Sequence, residues 1–115
     1  MDDYTRILTA AFPLVREVRL YRETLMHVMR EHPEVPIELP SLTAAVERAL
    51  QYPAYVELGH SNSYVFVDEG STNRSGDPLR IPVKIISGAS ARVKTVYFAA
   101  AAGVPRTIVW RRTHG

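Results

Sequence analysis

The sequence contains no cysteine, and this absence removes two kinds of architecture. It excludes a disulfide framework and a cysteine-ligated zinc site, and it fits a reducing compartment. Long apolar runs are also missing: none approaches the roughly 20 residues that a membrane-spanning helix needs. The start, Met-Asp-Asp-Tyr, lacks the basic and apolar segments of a signal peptide. We therefore expect a cytoplasmic protein that has no membrane partner.

A strong charge of one sign is absent too, because the formal net charge is only +2 at pH 7. The charges are unevenly spread, however. Residues 1–53 hold six Arg or Lys against eight Asp or Glu, whereas residues 54–115 hold eight Arg or Lys against four Asp or Glu. A basic surface in the second half could attract phosphates. Solvated strand faces explain the same residues equally well, because the excess is modest for a nucleic-acid-binding domain.

The first half of the chain has the spacing of an amphipathic helix. Apolar side chains recur at intervals of three and four along residues 14–31, which is typical of one helical face. These side chains are Leu14, Val18, Tyr21, Leu25 and Val28. Pro33 disfavours helical geometry at the residue before it, so we expect this helix to end at Glu31 or His32.

Two further helices are predicted on either side of this one. Residues 3–11 can form a short helix that ends near Phe12 and Pro13. Residues 33–40 contain three prolines and are expected to form a connector. Ser41 then provides a favourable N-cap for a helix over residues 42–51.

The second half changes to a period of two, which is typical of strands. Strands are predicted over residues 55–58, 64–67, 80–87, 92–100 and 107–110, with a loop between Gly70 and Pro78. On the strand over 92–100, alternation is expected to place Thr95 and Tyr97 on one face. Helices followed by strands predict one α+β domain over residues 1–115. In it, two to three N-terminal helices within about 3–51 pack on a four- to five-stranded, mostly antiparallel sheet within about 54–111.

The stretch from His27 to Glu34 brings together two imidazoles, a guanidinium and two carboxylates at a helix end. His27 and His32 are five residues apart, which is not the spacing of three or four that places two metal ligands on one helical face. The sequence also lacks a nucleophile elbow, a P-loop and a dinucleotide-binding fingerprint. We therefore expect neither a bound metal nor a cofactor.

A metal-free site made from an imidazole, a cation and hydroxyl groups suits RNA cleavage. The 2′-hydroxyl must lose a proton, the leaving 5′-oxygen must gain one, and positive charge must stabilise the phosphorane. The residues that supply this inventory are His27, Arg30, Lys84, Thr95 and Tyr97. Arg80 and Arg92 are further candidates for binding the substrate. Each of these residues also has an ordinary structural alternative, such as an ion pair on a helix surface or a place at a strand edge.

The order of short motifs resembles a known group of proteins. His-Val precedes His-Pro-Glu, and a Tyr-Pro turn, Tyr-Val-Phe-Val, Ile-Pro-Val-Lys-Ile and Val-Lys-Thr-Val-Tyr-Phe follow. Over about residues 20–100 this order resembles the phage- and mobile-element-associated nuclease domains grouped with barnase, EndoU, the tRNase colicins and RelE. Two positions depart from the group's pattern: Glu31 stands where a basic residue is common, and Ala54 replaces an acidic turn residue.

The resemblance implies a metal-independent ribonuclease of toxin type, with His27 as the general acid or base. It makes Lys84 the strand cation, and Thr95 and Tyr97 the hydroxyls of the closing strand. It also implies RNA such as tRNA or mRNA as substrate, and an antitoxin or immunity protein as partner. Two alternatives stay open. One is a non-enzymatic phage or mobile-element protein-binding module, an inhibitor or accessory protein on the same scaffold; the other is a nucleic-acid-binding domain without catalysis.

Overall fold

The structure, a computed structural model, describes residues 4–100 and 106–112, with side chains from residue 8 onward. This part of the chain contains eight strands and three helices. In chain order they are β1 Tyr4–Thr9, β2 Glu17–Tyr21, α1 Arg22–Glu31, α2 Glu34–Glu38, α3 Leu42–Gln51, β3 Tyr55–Leu58, β4 Ser63–Thr72, β5 Pro78–Ser87, β6 Ser90–Val93, β7 Tyr97–Phe98 and β8 Ile108–Arg111.

All eight strands belong to one curled, mixed sheet. Its order is β1-β2-β6-β5-β4-β3-β8, and β7 pairs with β5 beside β6. The neighbours are antiparallel except β2 and β6, which run parallel. The prediction of N-terminal helices on a four- to five-stranded sheet is therefore wrong. The error lies at the start of the chain, where two strands join the sheet in place of predicted helix.

The strands β1 and β2 replace the helix predicted over 3–11 and the first part of the helix predicted over 14–31. Along β2, Val18 and Leu20 are buried while their neighbours are partly exposed, which is a period of two. Leu14, which the helical stripe would have buried, is 60% exposed. The helix α1 begins only at Arg22, where the chain leaves the sheet.

The later helices follow local signals more closely. The helix α1 ends at Glu31, as Pro33 predicted, and α3 spans residues 42–51, as predicted. The Ser41 hydroxyl accepts a hydrogen bond from the Ala44 N–H at 3.3 Å, which confirms the N-cap. The predicted connector over 33–40 instead contains the short helix α2. Its Pro36 lies in the first turn, where a proline costs no intrahelical hydrogen bond because the first N–H groups have no partner there.

The helices cover one face of the sheet. The helix α3 contacts β1, β4 and β5, and α1 contacts β1 and β2. Val46 and Leu50 of α3 are fully buried in one cluster with Phe66 and Ile81 of the sheet. Because strand residues alternate between faces, the opposite face, called the second face below, carries another set of side chains. It includes Tyr55, Glu57, Ser63, Val65, Arg80, Lys84, Arg92 and Tyr97.

The strand predicted over 92–100 is broken between β6 and β7. Val93 pairs with Val83, but Tyr97 pairs with Arg80, so one extra residue stands on this strand relative to β5. Val93 and Val96 are both buried in the core, although regular alternation would place them on opposite faces. The prediction of one continuous strand with regular alternation is wrong for this reason, so alternation no longer places Thr95 and Tyr97 on a shared face.

Candidate functional site

Two imidazoles and a phenol meet where the end of α1 reaches the sheet. The His27 and His32 ring centroids are 6.2 Å apart, and the His32 and Tyr97 ring centroids are 6.1 Å apart. The Thr24 hydroxyl donates to the Val93 carbonyl at 3.3 Å, which fastens α1 to β6. These three rings, His27, His32 and Tyr97, are called the imidazole cluster below. All three side chains are partly exposed, so the cluster is open to solvent.

The imidazole cluster contains the groups that proton transfer near neutral pH requires. Histidine is the side chain whose ordinary titration lies closest to neutral pH, so one imidazole can accept a proton while another donates one. The His32 Nδ1 atom lies 3.5 Å from Glu34 Oε1. A carboxylate beside an imidazole nitrogen can orient the ring. The cluster is therefore chemically suited to general acid–base catalysis.

Three basic residues lie directly opposite one another on three adjacent strands. Arg19 of β2 pairs with Arg92 of β6, and Arg92 pairs with Lys84 of β5. Residues paired in this way share a face and lie about 5 Å apart. This set, Arg19, Arg92 and Lys84, is called the cation row. Like charges placed directly opposite are destabilising, so an anion bound across the row would relieve the repulsion.

One end of the cation row lies near an acidic residue of β2, and the other end lines a hollow. The Arg19 Nε atom is 3.8 Å from Glu17 Oε1, which offsets part of the charge at one end. Lys84 and Arg92 are exposed and line a hollow of about 300 Å³. Its remaining lining residues are Tyr21, Ile85 and Ile86. An aromatic ring beside two cations is a surface that suits a single-stranded nucleic acid, because bases stack on rings while cations hold phosphates.

The predicted catalytic residues are divided by the structure. His27 and Tyr97 belong to the imidazole cluster, whereas Lys84 lines the hollow beside the cation row. Thr95 lies in the break between β6 and β7. Its hydroxyl is buried and has no hydrogen-bond partner in the described part of the chain. His27 and Tyr97 therefore share one cluster, and Lys84 lines a different hollow.

The three arginines predicted to bind substrate differ as well. Arg92 belongs to the cation row. Arg30 is exposed on α1, and its Nε atom is 3.3 Å from Glu31 Oε1. Arg80 is almost fully buried: its Nη1 atom donates to Glu57 Oε1, and its Nε atom donates to the Ala99 carbonyl at 2.8 Å. Arg80 therefore bonds to residues on both sides of β5, and it also lines a cavity.

Two residues of these sites were missed by the sequence argument. His32 was assigned to the helix end, yet its ring is a neighbour of both the His27 ring and the Tyr97 ring. Arg19 was placed on a helix, whereas it belongs to β2 and to the cation row. The alternation around Val18 and Leu20 was the available signal for this strand, since both are buried on the same face.

In residues 4–100 and 106–112 no group of three His, Asp or Glu side chains stands close enough together to hold a metal ion. Within the same part of the chain, each helix is too short or too polar to cross a membrane. Comparison of the chain with protein-family models, with curated proteins and with solved structures found no match.

Proposed function

We propose that this protein is a metal-independent ribonuclease of toxin type, which binds RNA at the cation row and cleaves it at the imidazole cluster. The observation that carries this proposal is the meeting of His27 and His32 with Tyr97, a residue 65 positions further along the chain. Two imidazoles beside a phenol are an inventory that RNA cleavage without a metal needs. The resemblance to toxin-type nuclease domains points to the same chemistry.

In the proposed reaction the 2′-oxygen attacks the neighbouring phosphorus and the bond to the 5′-oxygen breaks. One imidazole accepts the 2′-hydroxyl proton, and the other donates a proton to the leaving 5′-oxygen. His27 is the proposed acid or base, and His32, held by Glu34, is its proposed counterpart. The Tyr97 hydroxyl donates a hydrogen bond to the phosphorane oxygens. The products are a 2′,3′-cyclic phosphate and a free 5′-hydroxyl.

The cation row supplies affinity for the RNA backbone in this proposal. Arg19, Arg92 and Lys84 are supported by the backbone of three paired strands, so their side chains start from fixed positions. Phosphate contacts of this kind depend on salt but carry little information about base sequence. The proposed attack by a 2′-oxygen makes RNA the substrate class, with tRNA as one candidate that the resemblance suggests.

Cleavage is tested with purified protein and a single-stranded RNA in buffer containing EDTA. We expect products that end in a 2′,3′-cyclic phosphate. His27→Ala and His32→Ala are each expected to lower the cleavage rate by about 10²–10⁴-fold, the usual contribution of one general acid or base. Met29→Ala is the matched control, because Met29 is exposed on the same helix outside the imidazole cluster. Cleavage by His27→Ala at the wild-type rate would contradict the proposal.

A neutralising protein partner belongs to the same proposal. A ribonuclease acting in the cytoplasm that produces it would degrade the RNA of its own cell, so an antitoxin or immunity protein is required. Expression of the wild-type protein alone is expected to arrest growth, whereas expression of His27→Ala is not. Equal growth of both strains at equal protein levels would count against the toxin role.

The second candidate is a binding protein without catalysis. The observation in its favour is that Lys84 and Tyr97 line different hollows, so the predicted catalytic set does not share one cleft. A folded wild-type protein that cleaves no RNA but binds it in a salt-dependent way would establish a nucleic-acid-binding domain. A protein that neither cleaves nor binds RNA would favour the protein-binding module.

A further inference from the structure

Two adjoining cavities lie at the second face of the sheet, apart from the hollow beside the cation row. The smaller is about 100 Å³ and is lined by Arg80, Tyr97, Ala99, Ala100 and Arg106. The larger is about 160 Å³ and is lined by Gly59, His60, Ser63, Val65, Pro82, Lys94, Tyr97 and Arg106. Tyr97 and Arg106 line both, so the two cavities are neighbours. The two cavities together are called the oxyanion pocket below.

The charged lining of the oxyanion pocket is entirely basic. Arg80, Lys94 and Arg106 line it, His60 adds a titratable imidazole, and none of the described lining residues is a carboxylate. The charge of Arg80 is offset by its ion pair with Glu57, so the excess positive charge comes from Lys94 and Arg106. A concave site with one sign of charge concentrates the field on a small anion.

Two residues that line this pocket each have a buried donor without a partner in the described part of the chain. The Arg80 Nη2 atom and the Ser63 hydroxyl have no hydrogen-bond partner in the described part of the chain. Arg80 and Ser63 are each only 4% exposed. The other two guanidinium nitrogens of Arg80 are occupied by Glu57 and by the Ala99 carbonyl. Buried polar groups are nearly always hydrogen-bonded, so two unpartnered donors on one pocket point to a ligand that accepts hydrogen bonds.

We propose that the oxyanion pocket binds a phosphate group. The donors come from three neighbouring strands: Ser63 from β4, Arg80 from β5 and Tyr97 from β7. Donors spaced along one face of the sheet suit an oxyanion, which has several oxygens that accept hydrogen bonds. The smaller cavity equals about three waters at roughly 30 Å³ each. It is well below the roughly 300 Å³ of sites for drug-sized ligands, so it admits a phosphate but not a whole nucleotide.

This pocket does not depend on the proposed cleavage, although Tyr97 lines both places. Its ligand is either free inorganic phosphate or the terminal phosphate of an RNA strand, because both present the same oxygens. Binding of phosphate to a protein that cleaves no RNA would leave the inference intact. Conversely, cleavage by a protein that binds no phosphate here would refute the inference and keep the proposed function.

The test is a titration of the full chain with sodium phosphate at constant ionic strength, followed by NMR. The Arg80 Nε–H resonance and the amide resonances of the pocket report where the anion binds. Replacing Arg80 would leave Glu57 buried without its partner, so the informative variants are Ser63→Ala and Lys94→Ala. Each is expected to weaken phosphate binding about tenfold, since each removes one donor to a charged acceptor. Arg74→Ala, which removes an exposed cation from another loop, is the matched control.

The outcomes distinguish three cases: a site for free phosphate, a site for the terminal phosphate of RNA, and no site. Saturable shifts with phosphate alone, and no preference between RNA with a 5′-phosphate and RNA with a 5′-hydroxyl, support a site for the free anion. A preference for the 5′-phosphorylated RNA that Lys94→Ala removes supports a site for the RNA terminus. Shifts no larger than those from sodium chloride, or wild-type affinity for phosphate in both Ser63→Ala and Lys94→Ala, overturn the inference.

Discussion

Replacing Glu57 with alanine is expected to lower the free energy of unfolding by about 3–5 kcal/mol, because it leaves the Arg80 charge buried without a partner. The side chains are only 5% exposed for Arg80 and 8% exposed for Glu57, so bulk solvent replaces little of the lost contact. Arg80 would keep its hydrogen bond to the Ala99 carbonyl, but a neutral carbonyl does not compensate a full charge.

This loss is large for a chain of 115 residues, since domains are typically stable by about 5–15 kcal/mol. With a urea slope of about 2 kcal/mol per molar, the unfolding midpoint falls by about 1.5–2.5 M. Urea unfolding followed by circular dichroism measures the shift. Glu31→Ala is the control, because Glu31 pairs with Arg30 in solvent and such pairs contribute less than about 1 kcal/mol.

The double variant Glu57→Leu/Arg80→Met tests whether the loss comes from the unpaired charge. Replacing a buried ion pair by apolar residues of similar volume is often neutral, so most of the lost stability is expected to return. If Glu57→Ala lowered the free energy of unfolding no more than Glu31→Ala does, the Arg80 side chain would have to reach water once the Glu57 carboxylate is removed. The argument from burial would then be refuted.

Four further outcomes follow from local geometry. Ser41→Ala removes the N-cap of α3 and is expected to cost about 1 kcal/mol in urea unfolding. Gly88 has a φ of +54°, so Gly88→Ala is expected to cost about 1–2 kcal/mol by the same measurement. Arg92→Gln relieves like charges opposite Arg19 and Lys84 and is expected to raise stability by about 0.2–1 kcal/mol. The logarithm of the RNA association constant, plotted against the logarithm of the salt concentration, is expected to have a slope of about −2 for the three cations. Arg92→Gln is expected to make this slope shallower by about 0.7.

The elements predicted well are those fixed by nearby residues. The bounds of α3 follow from the Ser41 cap and from apolar residues at helical spacing, and its structure agrees with the prediction. The strand β3 also has its predicted bounds, 55–58. In both segments the local pattern and the tertiary contacts favour the same conformation, so a reading of neighbouring residues is sufficient.

The first 21 residues could not be assigned in this way. Val18 fits a helical stripe with Leu14 and Tyr21, and it equally fits a strand with Leu20. The choice between helix and strand is decided by the parallel pairing of β2 with β6, in which Glu17 pairs with Ser90, 73 positions later in the chain. No local pattern contains that contact, so tertiary pairing overrides the helical spacing.

The candidate site shows the same division between local and distant information. His27 and Tyr97 were singled out from residue type and motif order, and they do lie near one another through His32. The expected regular alternation between Thr95 and Tyr97 failed because an extra residue stands between β6 and β7. A β-bulge of this kind has no fixed sequence signature, so an alternating pattern conceals it.

That extra residue decides where Tyr97 points. In a regular strand, residues 93, 95 and 97 share one face, and Val93 is buried in the core. Tyr97 would then face the core, away from Arg80. The bulge moves it to the second face, opposite Arg80 and within reach of the end of α1. The imidazole cluster and the oxyanion pocket therefore both depend on one irregularity in the sheet, and restoring a regular strand there would remove Tyr97 from both.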